Sequence, residues 1–186
     1  MAKDVRERMV AGATKLLATK GLQATSFSEV IELTDTPRGS IYHHFPGGKD
    51  ELVLAALDQA CQQMLASLGS SDGASAEEVL GTVTSAWRKL LEGSQATTGC
   101  AAVAVTVATE SDELLGATAR VFSTWQERLT ALFAGGGLTA DKAAAFAATV
   151  LATVEGAVVI ARAERNLEAY DRAVGQLPTL LAALKA

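Results

Sequence analysis

Residues 37–49 read PRGSIYHHFPGGK. Pro37 suits the first position of a helix, where a missing N–H costs nothing, and Pro46-Gly47-Gly48 cannot continue one. The stretch therefore predicts a short helix from Pro37 to about Phe45. Ile41 and Phe45, four residues apart, fall on one face and point inward. That leaves Arg38, Gly39, Ser40, Tyr42, His43 and His44 outside, a dense set of donors for about two turns of helix. In isolation the Tyr-His-His run reads more readily as an ordinary solvated surface. Adjacent histidines lie about 100° apart around a helix, so they make poor partners for one metal ion, and no metal site is expected.

Upstream, Ser26-Phe27-Ser28-Glu29 has the pattern of a capping box: Ser26 caps the free amides while Glu29 reaches back, opening a helix through about Leu33. Thr34-Asp35-Thr36 follows as a turn in which Asp35 tolerates unusual backbone angles and Thr36 can cap the next helix. Before this, Val5, Met9, Ala13, Leu16 and Leu17 line one face of a first helix that Gly21 stops. Two short helices joined by a tight turn, with a longer one packed across them, form a helix-turn-helix head. DNA gives each exposed residue a role. Arg38 can fork onto a guanine edge or a phosphate, Gly39 admits close backbone approach, and Ser40 can bond a phosphate or a base. Tyr42, His44 and Lys49 offer donors to the phosphate backbone.

The formal net charge of −5 is unevenly distributed. Residues 1–50 hold seven basic and six acidic residues, whereas the remaining 136 hold nine and fifteen. An acidic body carrying a locally basic head is compatible with DNA, because only charges near phosphates act strongly at physiological salt. Of the 186 residues 49% are hydrophobic and 5% aromatic, with Ala-rich runs such as 143–148, AAAFAA. Ala and Leu lead the helix scale, so an all-α protein is expected, with about nine helices. The charged start MAKDVRERMV lacks a signal peptide's apolar core, and no uninterrupted apolar run approaches the roughly 20 residues of a membrane span. A cytoplasmic protein with no membrane partner is the expectation. Cys61 and Cys100 match no metal or redox spacing and read as buried free thiols.

On these motifs the chain resembles the TetR/AcrR family of bacterial transcription regulators. The likeness runs through the first helix, Gly21, Thr25-Ser26 and, above all, PRGSIYHHF followed by KDEL. Together with GCAAVAVTVATES and EGAVVIARAERN further on, TPRGSIYHHFPGGKDEL is most similar to the LmrA/YxaF-type branch. The resemblance implies DNA contacts at Ser26, Arg38, Gly39, Ser40, Tyr42, His43, His44 and Lys49, with a DNA-binding domain over 1–48 and a ligand-binding and dimerisation domain over 49–186. It also implies a repressor that binds a palindromic operator as a dimer and lets go when a small apolar or aromatic effector binds. Two positions depart from the family pattern. Thr34-Asp35 stands where a small pair is usual, and Pro37 replaces a Ser or Thr, removing one phosphate contact and making the operator harder to infer.

The body reads as helices throughout. Leu54, Leu57, Cys61, Met64, Leu65 and Leu68 stripe a long fourth helix leaving the head directly, and Gly69-Ser70-Ser71-Asp72-Gly73 is a flexible linker. A fifth helix runs through Val79, Val83, Trp87, Leu90 and Leu91. Residues 100–108 alternate Val like a strand, but a lone strand has no partner, so a buried helix is expected. A seventh helix runs from Leu115 to Phe133, an eighth from about 139 to 166, and a ninth through Tyr170 and Leu184, kinked or restarted at Pro178. Small residues on the eighth allow close approach, and the resemblance implies a homodimer through the helices near 139–166 and 168–184. Simple packing within one chain is the alternative. Trp87, Phe122 and Trp125, with Thr106, Thr109 and Glu110 as polar anchors, suggest a mostly apolar effector site, and related proteins of this branch are implied to sense planar aromatic compounds. The same residues also read as core. Neither a cofactor nor catalytic residues are expected: both His lie in the head, and no HExxH, phosphate loop or GxSxG is present. Two other readings are a TetR-like ligand carrier or interaction module without operator binding, and, further off, an all-helical enzyme.

Overall fold

The computed structural model describes residues 2–185, and every regular element among them is helical. In chain order these are α1 (Ala2–Lys20), α2 (Phe27–Thr34), α3 (Arg38–His44), α4 (Lys49–Leu68), a 3-10 turn (Gly69–Ser71), α5 (Ala76–Gly93), α6 (Ala101–Thr106), α7 (Asp112–Gly135), α8 (Ala140–Glu164), α9 (Glu168–Val174) and α10 (Leu177–Lys185). The Val-alternating stretch is helical, as α6, and the last expected helix is two pieces that break at Gly175 and restart next to Pro178. Two compact units share the chain. One is Met1–Gln62 with Cys100–Phe122, the other Gln63–Gly99 with Ser123–Ala186.

In the first unit α1 packs on α2, α3 and α6. Met9, Val10, Ala13, Leu16 and Leu17 bury its inner face, joined by Val30 of α2, Ile41 of α3 and Phe45 just beyond it. Gly21 ends α1 at φ +83°, its N–H bonding the carbonyls of Leu16 and Leu17 at 3.1 and 3.2 Å. A left-handed residue that satisfies the last free carbonyls is the usual way for a helix to stop. Asp35 does the same for α2 at φ +49°, with its N–H on Ile31. Leu57, Cys61 and Leu68 of the expected α4 stripe are buried, while at the start of the helix Leu52, Val53 and Ala56 are buried and Leu54 is only half-buried. Thr14 hydrogen-bonds both the Ala56 carbonyl and the Gln59 side chain, tying α1 to α4.

At Gly12 α1 comes close to α2. A Cβ there would lie 2.4 Å from Thr34 Cγ2. Thr34 cannot readily turn away, because its hydroxyl donates to the Val30 carbonyl at 2.6 Å and meets that of Thr36 at 2.9 Å. Gly12→Ala is therefore expected to destabilise by about 1–3 kcal/mol through overpacking, against the roughly 1 kcal/mol that Ala gains in an open helix. A lowered urea midpoint checks it, and a raised midpoint contradicts it.

The second unit is organised on α8. Phe146, Val150, Val154, Val158 and Ala161 pack with Val79, Leu80 and Val83 of α5, Leu129 and Phe133 of α7, Tyr170 of α9 and Leu177 and Leu181 of α10. Phe133 and Phe146 meet edge to face at 4.8 Å. Tyr170, fully buried, donates its hydroxyl to the Thr84 carbonyl at 2.7 Å, and burial pushes its pKa up. Beside it Asp171 accepts two bonds from the Arg88 guanidinium at 2.9 and 3.2 Å. These contacts tie α9 to α5. By length and composition helix α8 is apolar enough to cross a membrane, although Thr149, Thr153 and Glu155 interrupt its apolar run. Of its most apolar window 44% is buried among its neighbours.

Candidate nucleic-acid interface

Helix α3 is held at both ends. The Pro37 carbonyl accepts from the Ser40 N–H at 2.9 Å, and Phe45 closes the helix on Ile41, also at 2.9 Å. Ile41 and Phe45 are fully buried, as their spacing predicts. The outer face carries Arg38, Gly39, Tyr42 and His43 exposed, with Ser40 and His44 half-buried. Tyr42 is 68% exposed, a large value for an aromatic residue. A Cβ at Gly39 would meet nothing within 4 Å, so no packing inside the protein calls for the missing side chain.

Two caps differ from expectation. Ser26 does accept from the Glu29 N–H at 3.2 Å, but the Glu29 carboxylate is bonded to Lys20 at 2.6 Å, which raises the Lys20 pKa, rather than closing the box. A cation within reach is the stronger partner for a carboxylate. Thr36 is buried against Thr34 instead of capping α3, which begins at Arg38 with Pro37 as its N-cap and no side-chain cap. The Ser26 hydroxyl still has its hydrogen to donate. Lys49 opens α4 half-buried and gives one bond, 2.7 Å, to the Leu22 carbonyl, leaving two ammonium donors.

Several contributors were invisible to sequence periodicity. Phe27, the first residue of α2, meets the Tyr42 ring edge to face at 5.4 Å. Arg6 places its guanidinium 5.2 Å from the centre of the Phe45 ring, and Arg8 donates to the Thr34 carbonyl at 3.2 Å. These contacts depend on how α1, α2 and α3 cross, which spacing along one helix does not encode. The residues expected around an effector divide between the units. Trp87 packs against the second unit's core, and Trp125, also in the second unit, is buried but outside that core cluster. Thr106, Glu110 and half-buried Phe122 belong to the first unit; Thr106 and Glu110 are exposed, and the Thr106 hydroxyl bonds the Ala102 carbonyl at 2.8 Å.

A short, exposed, polar helix fixed by two apolar anchors, second in a helix-turn-helix, is the defining part of a DNA-binding head. Comparison with known proteins agrees over nearly the whole chain. Residues 10–56 match the profile of bacterial regulatory proteins of the tetR family, and residues 76–176 that of the C-terminal domain of LmrA/YxaF-like transcriptional regulators. An uncharacterized HTH-type transcriptional regulator of Mycobacterium tuberculosis, Rv0196, is 34% identical over 96% of this chain and 94% of its own. The HTH-type transcriptional regulator LmrA of Bacillus subtilis is 38% identical over 56 residues, 30% of each chain. In fold, TetR regulators from Legionella pneumophila (TM-score 0.84, 20% identity, 94% and 95% of the two chains) and Agrobacterium tumefaciens (0.83, 21%, all of both) are similar. The chain belongs to the TetR family and is a DNA-binding transcriptional regulator.

Proposed function

We propose that the protein is a cytoplasmic, non-enzymatic repressor that binds a palindromic operator as a homodimer and is released by a small apolar or aromatic effector. The head, 1–48, reads DNA through Ser26, Arg38, Gly39, Ser40, Tyr42, His43, His44 and Lys49, while 49–186 carries the effector site and the dimer contacts. The observation that carries this reading is Gly39. Glycine costs a helix about 1 kcal/mol relative to Ala, and here the space it leaves is used by nothing in the protein. Close approach of a phosphate or base edge to the α3 backbone accounts for it.

A dimer is required by the geometry of DNA. Two heads about 34 Å apart, or a multiple of one turn, read a two-fold site, whereas one head binds weakly. The α8 surface supports the pairing. Ala145, Ala152, Gly156, Val159, Ile160 and Ala163 are exposed along it at three, four and seven spacing, and Leu180 of α10 is exposed as well. Ile160→Asp is expected to raise the dimer dissociation constant about tenfold or more, since it brings an unpaired carboxylate into an apolar contact. Sedimentation equilibrium reads it, and an unchanged dimer places the interface elsewhere.

For the effector, Trp87 and Trp125 of the second unit offer the aromatic surface a planar ligand needs. Helix α4 follows the head directly and serves as the lever: ligand favours a state in which the two heads are misplaced for the operator. Such coupling is reciprocal. In a titration with a planar aromatic inducer, operator and inducer are expected to weaken one another by the same factor. Equal inducer affinity with and without operator contradicts the mechanism.

A further inference from the structure

We infer that Phe27 is a positioning residue for DNA recognition: it touches no DNA but fixes the ring of Tyr42 for contact. The inference rests on Tyr42 meeting DNA, as proposed above. Tyr42 stands 68% exposed on α3, and no hydrogen bond to its hydroxyl occurs among the described residues. An exposed tyrosine on a helix has more than one staggered rotamer open to it, and freezing one on binding costs affinity. Phe27 removes that freedom in advance. Its ring lies 5.4 Å from that of Tyr42 with the planes at 79°, the edge-to-face arrangement that aromatic pairs favour.

The placement explains a residue that core packing does not. Phe27 follows the Ser26 cap as the first residue of α2 and remains half-buried, outside the fully buried set formed by Val30, Ile41 and Phe45. The one ring–ring contact of Phe27 among the described residues is with Tyr42. It also joins two reading elements, since Ser26 at the start of α2 and Tyr42 on α3 are linked through one side chain. The aromatic edge, rather than apolar bulk, is the property required.

The test is a double-mutant cycle on a duplex recovered by selecting genomic fragments with the full-length wild-type protein, read by fluorescence anisotropy alongside thermal midpoints. Phe27→Leu keeps apolar volume and removes the aromatic edge. It is expected to weaken binding about two- to tenfold per head with an unchanged midpoint, while Phe27→Tyr restores affinity. In a Tyr42→Ala background, Phe27→Leu is expected to cost nothing further. Full affinity in Phe27→Leu overturns the inference, and so does an equal loss in both backgrounds. Full affinity in Tyr42→Ala overturns the reading beneath it, which keeps the two failures apart.

Discussion

Gly136→Ala is expected to lower stability by about 3 kcal/mol, at the upper end of what overpacking costs. A Cβ at this position would lie 2.4 Å from the Ala76 amide nitrogen and 2.9 Å from both Ala76 Cα and the Ser75 carbonyl carbon. These are backbone atoms, so no side chain can swing aside. The neighbouring chain is also pinned. Ala76 donates to the Gly136 carbonyl at 3.3 Å, and the Ser75–Glu78 capping box fixes the first turn of α5. Relief requires α5 to move away from the end of α7, which opens the packing of Val79 and Val83 beneath it. At about 2–4 °C per kcal/mol for a chain of this size, the thermal midpoint should fall by roughly 6–12 °C. Gly135→Ala serves as the control, since its Cβ would meet nothing within 4 Å. Calorimetry on the two variants decides it, and equal midpoints would contradict the packing described.

Arg38→Ala should produce the largest loss of operator affinity. The side chain is exposed at the start of α3, and no salt bridge engages it among the described residues, so its five donors are available to DNA. A guanidinium on a base edge is worth about 1–3 kcal/mol, and a dimer presents two, giving about 2–6 kcal/mol or roughly 30- to 25,000-fold. Because the fork geometry matters, Arg38→Lys is expected to recover non-specific binding but not selectivity. The measurement is competition between operator and scrambled duplex at fixed salt. Full selectivity in Arg38→Lys would reduce the residue to a phosphate contact. Lys20→Ala should leave both affinities unchanged, since Lys20 pairs with Glu29.

How much was legible in the sequence follows from the range of each interaction. Helix ends were readable because their causes are local: Gly21 at the end of α1, Asp35 in the turn and Pro37 before α3 each act on their own backbone. Ile41 and Phe45 were readable because four-residue spacing fixes a helical face. What failed depended on competition between partners distant in sequence. Glu29 had a choice between the Ser26 amide and Lys20, and Thr36 between the next helix and Thr34. The burial of Leu52 and Val53 at the start of α4 depends on its contact with α1, where Thr14 bonds the Ala56 carbonyl some forty residues away. Within the reading face, the exposed residues of α3 were evident, whereas Phe27 was not, because its partner lies on a different helix and the crossing angle is a tertiary property.

The most direct test of the central claim is fluorescence anisotropy of the purified protein on its own upstream intergenic DNA and on a scrambled duplex, at several salt concentrations. A sequence-reading dimer predicts tight binding to a two-fold symmetric site within the upstream DNA. Weak binding to the scrambled duplex and a steep loss of affinity as salt rises should accompany it. Equal weak binding to both duplexes, together with no enriched sequence in a genome-wide selection, would contradict it and leave a TetR-like body that binds a ligand without an operator.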